Sequence, residues 1–370
     1  MKWSWRLGRL FGIDVFVHAT FLILLTWVGL SHYQREGNIH GALVGVMFIL
    51  VVFGTVVLHE FGHALTARRF GIKTKDVTLY PIGGVARLER MPEKPTQELL
   101  VALAGPAVNV VIAALIFVVL KATGQPLALV EQNIMGSGPF LVKLLWVNVT
   151  LAVFNLLPAF PMDGGRALRA LLALRGDYVA ATRTAASIGQ AIALGLGLLG
   201  LFSNPFLVFI ALFVWIGAAA ESEAVQTKAA LTGLPIQAAM VTHFDLLKSR
   251  DTLATASQAL LAGSQVDFPV VDDSDVLVGV LTRSDLIKGL TSGGLTALVE
   301  TVMTRRFEIA DPGEMLDSAM ARLKGCDCSS LPVVRHGHVL GILTMENIGE
   351  LMMVQDAMRA SRQVTARSHV

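Results

Sequence analysis

The feature that most constrains this chain is a series of apolar runs at 13–30, 41–65, 98–120, 138–158, 187–203 and 205–221. A helix needs about 20 mostly apolar residues to cross the hydrocarbon core of a bilayer. In lipid, every backbone N–H and C=O must be satisfied within its own segment, so runs of this kind are predicted as helices. Ser203-Asn204-Pro205 separates the last two and predicts a helical hairpin. Charged residues are 16% of the chain, against about a quarter in a soluble domain. The deficit lies in residues 10–225; from about Leu231 onward, charge returns at globular density. The predicted fold class is a polytopic α-helical membrane domain with six transmembrane helices, followed by a soluble α/β domain.

Loop charges orient these spans. Lys2, Arg6 and Arg9 precede the first run; Arg68, Arg69, Lys73, Lys75, Arg87, Arg90 and Lys94 follow the second; Arg166, Arg169, Arg175 and Arg183 follow the fourth. The intervening loops hold little beyond Arg35 and Lys121. Basic loops stay on the cytoplasmic side, which predicts a multi-pass protein of the cell membrane with both termini in the cytoplasm. No small-residue cleavage pattern follows the first apolar run, so that run reads as a retained helix. A net charge of +2 gives no reason to expect nucleic acid as a partner. Cys326 and Cys328, the two cysteines, read as separate packed or half-exposed thiols in a reducing compartment.

The second run closes on His59-Glu60-Phe61-Gly62-His63, an HExxH motif. Residues i and i+4 share one face of a helix, so both imidazoles can reach one metal ion, with Glu60 beside them as general base. Zinc suits such ligands, and its catalytic sites keep a position open for water. Ionisable residues within a span are costly and functional by default. A third ligand is needed, and the fourth run ends in Asn155-Leu156-Leu157-Pro158-Ala159-Phe160-Pro161-Met162-Asp163. The predicted topology puts the C-terminal ends of runs two and four at one depth, which brings Asp163 level with His59 and His63. Pro158 and Pro161 should open the helix and bend the chain toward the metal. Taken alone, Asp163 would serve equally as the N-cap of a helix starting near Arg166; beside HExxH it is read as a ligand.

At these residues the chain resembles the site-2 protease family of intramembrane metalloproteases. The resemblance rests on HExxH at 59–63, on Asn155, Pro158, Asp163 and Gly164, and on Pro81-Ile82-Gly83-Gly84 and Ala104-Gly105-Pro106-(x2)-Asn109, and it covers about residues 10–225. It implies hydrolysis of a peptide bond in or near the transmembrane segment of a membrane protein, such as a membrane-tethered transcription regulator. It also implies zinc on His59, His63 and Asp163, water activation by Glu60, and a catalytic contact from Asn155 to the substrate or the developing oxyanion. Gly83, Gly84, Asn155 and Pro158 would then bind substrate, and residues 72–90 would form a short membrane-associated β segment. Val77-Thr78-Leu79-Tyr80 alternates weakly, in partial agreement.

The soluble part holds an internal repeat. Phe268-Pro269-Val270-Val271 with Gly279-Val280-Leu281-Thr282-Arg283-Ser284-Asp285 matches Leu331-Pro332-Val333-Val334 with Gly341-Ile342-Leu343-Thr344-Met345-Glu346-Asn347. Each unit reads helix, strand, strand, helix, and the pair resembles tandem CBS domains over about 236–355. That resemblance implies ATP or another adenine nucleotide in the cleft, with Thr282, Asp285 and Thr344 as contacts, and homodimer formation through the CBS pair. Asn347 stands where the first repeat has Asp285, which reduces the expectation to one good nucleotide site. A purely structural module stays open. The domain boundaries are read as 1–225 membrane metalloprotease, 226–235 linker, 236–355 CBS pair and 356–370 tail. Two competing readings are a CBS-regulated transporter, which should carry polar residues along several spans, and a catalytically silent scaffold, against which the complete HExxH motif argues.

Overall fold

A computed structural model describes residues 3–92, 94–125, 139–326 and 328–367. The chain divides into two compact units, Met1–Val225 and Gln226–Val370.

The first unit opens as sheet. Strand β1 (Ser4–Leu10) turns through Phe11 and Gly12, both at positive φ, into antiparallel β2 (Ile13–His18). Such a two-residue turn matches the twist of the strands it joins. The run predicted as a span from residue 13 therefore begins as a strand. Ile-Asp-Val-Phe-Val-His alternates, and Ile13, Val15 and Val17 are buried while the residues between them are not. Helix α1 (Ala19–Glu36) follows, then α2 (Ile39–Arg69), then β3 (Thr74–Tyr80), which joins β2 in parallel, and β4 (Gly83–Leu88), antiparallel to β3. The strand order is β1-β2-β3-β4, so β4 ends the sheet. Its face carries α2: Ile13, Val15 and Val77 pack with Phe61 and Ala64, and Val17 and Leu79 pack with Phe21 and Phe53. Thus the sheet fixes the turns of α2 that hold the HExxH sequence.

Next come α3 (Pro95–Ala122), α4 (Phe140–Asn155), α5 (Asp163–Ala173), α6 (Tyr178–Phe202) and α7 (Phe206–Leu231). Among the described residues four helices are long and apolar enough to cross a membrane: α2, α3, α6 and α7. Helix α4, with 16 residues, is about 24 Å long, short of a hydrocarbon core of about 30 Å. Helix α1 ends in Arg35-Glu36 and also falls outside that set. The predicted count of six is therefore not reached among the described residues; residue 138, which opens the fourth run, lies outside them. Helix α3 packs closely on α2, since a β-carbon at Gly62 would meet the Ala104 carbonyl oxygen at 2.6 Å. Small residues permit such close backbone approach between membrane helices.

The second unit shows the expected repeat. One copy has β5 (Leu247–Lys248), α8 (Leu253–Ala262), β6 (Phe268–Val271), β7 (Leu277–Leu281) and α9 (Arg283–Gly293). The other has α10 (Leu316–Gly325), β8 (Ser330–Arg335), β9 (His338–Thr344) and α11 (Met345–Arg367). The segments before each copy are exchanged. Pro235 bridges Met315 and Val241 bridges Ile342, while Leu298 bridges Thr252 and Thr304 bridges Val280. Accordingly Leu231, Ile236 and Ala239 belong to the core of the second copy, and Val299 and Met303 to that of the first. Residues 226–231 complete α7, and α11 runs across the expected start of the tail at 356; residues 368–370 lie outside the described residues. The sulfurs of Cys326 and Cys328 are joined to each other rather than standing as separate thiols.

Candidate metal centre

His59 and His63 sit one turn apart on α2, and both are buried. Helix α4 ends at Asn155, and the chain turns through residues 156–162 before α5 opens on Asp163. Met162 takes the N-cap position, so Asp163 is the first helical residue and not the cap. Two glycines allow that turn to close on itself: a β-carbon at Gly164 would meet the Leu157 carbonyl oxygen at 2.2 Å, and one at Gly165 would meet the Ala159 carbonyl carbon at 2.5 Å. The result brings Asp163 Oδ2 to 3.2 Å from His59 Nε2 and 3.1 Å from His63 Nε2, with the two Nε2 atoms 3.1 Å apart.

Behind the imidazoles, His59 Nδ1 lies 2.5 Å from Asn109 Oδ1, and His63 Nδ1 lies 2.7 Å from the Val101 carbonyl oxygen. Asn109 Nδ2 donates to Asn148 Oδ1 at 2.9 Å, and Asn148 Nδ2 donates to the Leu144 carbonyl at 2.9 Å. This chain of donors fixes Asn109 Oδ1 as an acceptor, so each imidazole carries its proton on Nδ1. In the neutral imidazoles, two Nε2 lone pairs and a carboxylate oxygen then converge. A cation resolves that repulsion. Tetrahedral zinc ligands at about 2.0–2.1 Å would lie about 3.3 Å from one another, close to the observed separations. The donor set and spacing therefore fit zinc.

Glu60 lies beside the pair. Its Oε2 accepts from the Ala86 N–H of β4 at 3.1 Å. Gly84 passes close to it: a β-carbon there would meet Glu60 Cγ at 2.8 Å. A cleft of about 320 Å³ opens on this point, and His59, Glu60, Gly83, Gly84, Asn109 and Asn155 are among its lining residues. The structure thus gathers seven of the predicted site residues: His59, Glu60, His63, Gly83, Gly84, Asn155 and Asp163. Pro158 is exposed on the turn and is not among the residues lining the cleft. The sequence reading quoted Gly105 and Asn109 only within the family motif, without a role, and missed Val101 and Asn148. Asn109 and Asn148 carried a signal, as amides within apolar helices.

In the second unit, Thr282 caps α9 and donates to Asp285 Oδ2 at 2.8 Å, which also accepts from Thr304 Oγ1 at 3.0 Å. Thr344 repeats the geometry with Asn347, at 2.7 Å.

Residues 47–196 match the family model for peptidase family M50, and residues 236–292 and 299–353 each match the CBS domain. A zinc metalloprotease of Methanocaldococcus jannaschii is 34% identical over 290 residues, covering 78% of this chain and 80% of that protein. The chain belongs to peptidase family M50, the site-2 proteases. A candidate zinc metalloprotease of Mycobacterium tuberculosis, Rip3, is 30% identical over 374 residues, covering 94% of this chain and 92% of that protein. The solved site-2 protease of Methanocaldococcus jannaschii aligns at a TM-score of 0.43 and 39% identity, over 60% of this chain and 95% of its own. This M50 chain is a zinc metalloprotease carrying two CBS domains.

Proposed function

We propose that this M50 protease hydrolyses a peptide bond in or near a transmembrane segment of a membrane protein, with His59, His63 and Asp163 holding zinc and Glu60 as general base. The observation that carries the reading is the convergence of three acceptor atoms beside a carboxylate, in a cleft that also holds Asn155 and the first residues of a sheet-ending strand. When bound, zinc supplies the Lewis acidity that makes water nucleophilic near neutral pH. Glu60 takes the proton of the attacking water on Oε1, because Oε2 is engaged by Ala86, and returns it to the leaving amine. Asn155 donates from its side-chain amide to the scissile carbonyl as charge develops there. Gly83 and Gly84 let an unwound substrate approach β4 closely and pair with its free edge. Pro158 keeps the role of ending α4.

His59 lies 20 residues into α2, about 30 Å along it. That is one hydrocarbon thickness, which supports a position for the centre near a membrane face, where water is available. The basic loops support a cytoplasmic face, and α1 and α4 would complete six crossings, the shorter α4 with local thinning of the bilayer. Thr282 and Asp285 support one adenine-nucleotide site that regulates cleavage.

The test compares wild type with Glu60→Gln, purified in detergent, for bound zinc and for cleavage of a panel of membrane-helix substrates. The expected variant keeps ~one zinc per chain and loses about 10²–10⁴-fold in rate. A variant that cuts as fast as wild type removes Glu60 from the role of base, and wild type that neither binds zinc nor cuts favours the scaffold.

A further inference from the structure

The mechanism above makes no use of Arg169, yet Arg169 is the largest fully buried side chain of the chain's described residues, 1% exposed. Burying a guanidinium is costly unless its charge and donors are matched. Here they are. Nε and Nη2 donate to Glu98 Oε1 at 2.8 and 2.5 Å, and Nη1 donates to Glu221 Oε1 at 2.6 Å. The guanidinium also stacks over the rings of Phe160 and Tyr178, 5.0 and 5.1 Å from their centroids. Tyr178 in turn donates to Glu98 Oε1 at 3.4 Å.

These partners come from four places. Glu98 is in the first turn of α3, Tyr178 begins α6, Glu221 is on α7, and Phe160 lies in the turn that leads into Asp163. Arg169 itself is on α5, six residues after Asp163. Six residues carry a helix about 240° beyond a full turn, so the two side chains leave α5 on different faces. Asp163 reaches α2; Arg169 reaches α3 and α7. Helix α3 is also the element that supplies Val101, Gly105 and Asn109 to the two imidazoles. A rotation of α5 by about 10° would move an atom at its surface by about 1 Å. Metal–ligand bonds tolerate about 0.2 Å.

We propose that Arg169 is a positioning residue for the metal centre: by binding Glu98 and Glu221 it locks the rotation of α5 and so sets Asp163 against His59 and His63. The proposal rests on the ligand assignment given above. Removing the lock should loosen the metal even where the fold survives.

The experiment uses the full chain in detergent, as wild type, Arg169→Gln, Arg169→Lys, Glu221→Gln and Asp163→Asn. Zinc affinity is measured by chelator competition, coordination geometry by the visible spectrum of the cobalt(II)-substituted protein, and folding by melting temperature. Arg169→Gln is expected to bind zinc about 10–100-fold more weakly, with an altered cobalt spectrum. Arg169→Lys should restore little, because an ammonium cannot bridge two carboxylates in a fixed plane. Lower melting temperatures with wild-type zinc affinity and spectrum would overturn the proposal and leave Arg169 a packing residue. If Arg169→Gln fails to fold, Glu221→Gln decides by the same two readouts: a shift supports the lock, wild-type values overturn it. Wild-type metal binding by Asp163→Asn would strike the ligand assignment itself, and the proposal with it.

Discussion

Gly105 faces both imidazoles: a β-carbon there would lie 2.1 Å from His63 Nε2 and 2.7 Å from His59 Nε2. It would crowd the two nitrogens proposed to hold the metal. Gly105→Ala should therefore push the imidazoles out of register and lose zinc, with the overpacking cost of about 1–3 kcal/mol only partly offset by the better helix propensity of alanine, about 0.5–1 kcal/mol. Metal analysis alongside a melting curve checks this, and a variant with a full zinc complement would show that the ion sits elsewhere. Asn109 acts from the other side of His59. Asn109→Ala leaves His59 Nδ1 without its acceptor, and zinc affinity should fall about 10–100-fold; unchanged affinity in a chelator titration would mean that the tautomer is fixed some other way. What the sequence made legible here follows from helix periodicity. The four-residue spacing of His59 and His63 announces a shared face, and an acid at the end of an apolar run announces itself by its cost. Val101 acts through a backbone carbonyl, which every residue possesses, so it leaves no chemical mark in the sequence, and Gly105 acts by having no side chain, so its motif was visible but its role was not.

Hydropathy misread elements where a strand and a helix share one apolar run. Ile13–His18 is apolar enough to extend the following helix, but its two-residue alternation and its parallel partner β3 make it a strand. That partner lies beyond two helices in sequence, out of reach of a local pattern. In the second unit, the repeat announced the helix, strand, strand, helix order but not the exchange of leading segments. The exchange predicts where damage spreads. Ile236 is fully buried in the core that holds Leu316, Leu331 and Leu343. Ile236→Ala should cost about 2–5 kcal/mol, and the loss should show as faster amide exchange over residues 316–343 while residues 268–286 keep their protection. Faster exchange confined to the first copy would contradict the exchanged cores.

At the scale of the whole molecule, composition separated a lipid-compatible part from a globular one, and the chain divides into its two compact units between Val225 and Gln226. The count of crossings was less legible, because hydropathy reports apolar length and not whether a helix fills it, as the 16 residues of α4 show. A protease fused to a CBS pair raises a question of energy rather than of contact. A nucleotide can regulate cleavage only through unequal affinity for two states of the chain. Thr304 adds a second hydroxyl to Asp285 in the first copy, whereas Asn347 in the second offers a neutral amide. One adenine nucleotide per chain is therefore expected by calorimetry, abolished by Asp285→Ala and retained by Asn347→Ala. Coupling to the metal centre then obeys linkage. If nucleotide changes the affinity for a zinc-directed hydroxamate by some factor, the hydroxamate must change nucleotide affinity by the same factor, commonly about 5–150-fold. Measuring both dissociation constants with and without the other ligand closes the cycle. Equal factors away from unity establish regulation of the site by the CBS pair; factors of one in both directions reduce the module to an anchor or a dimer contact.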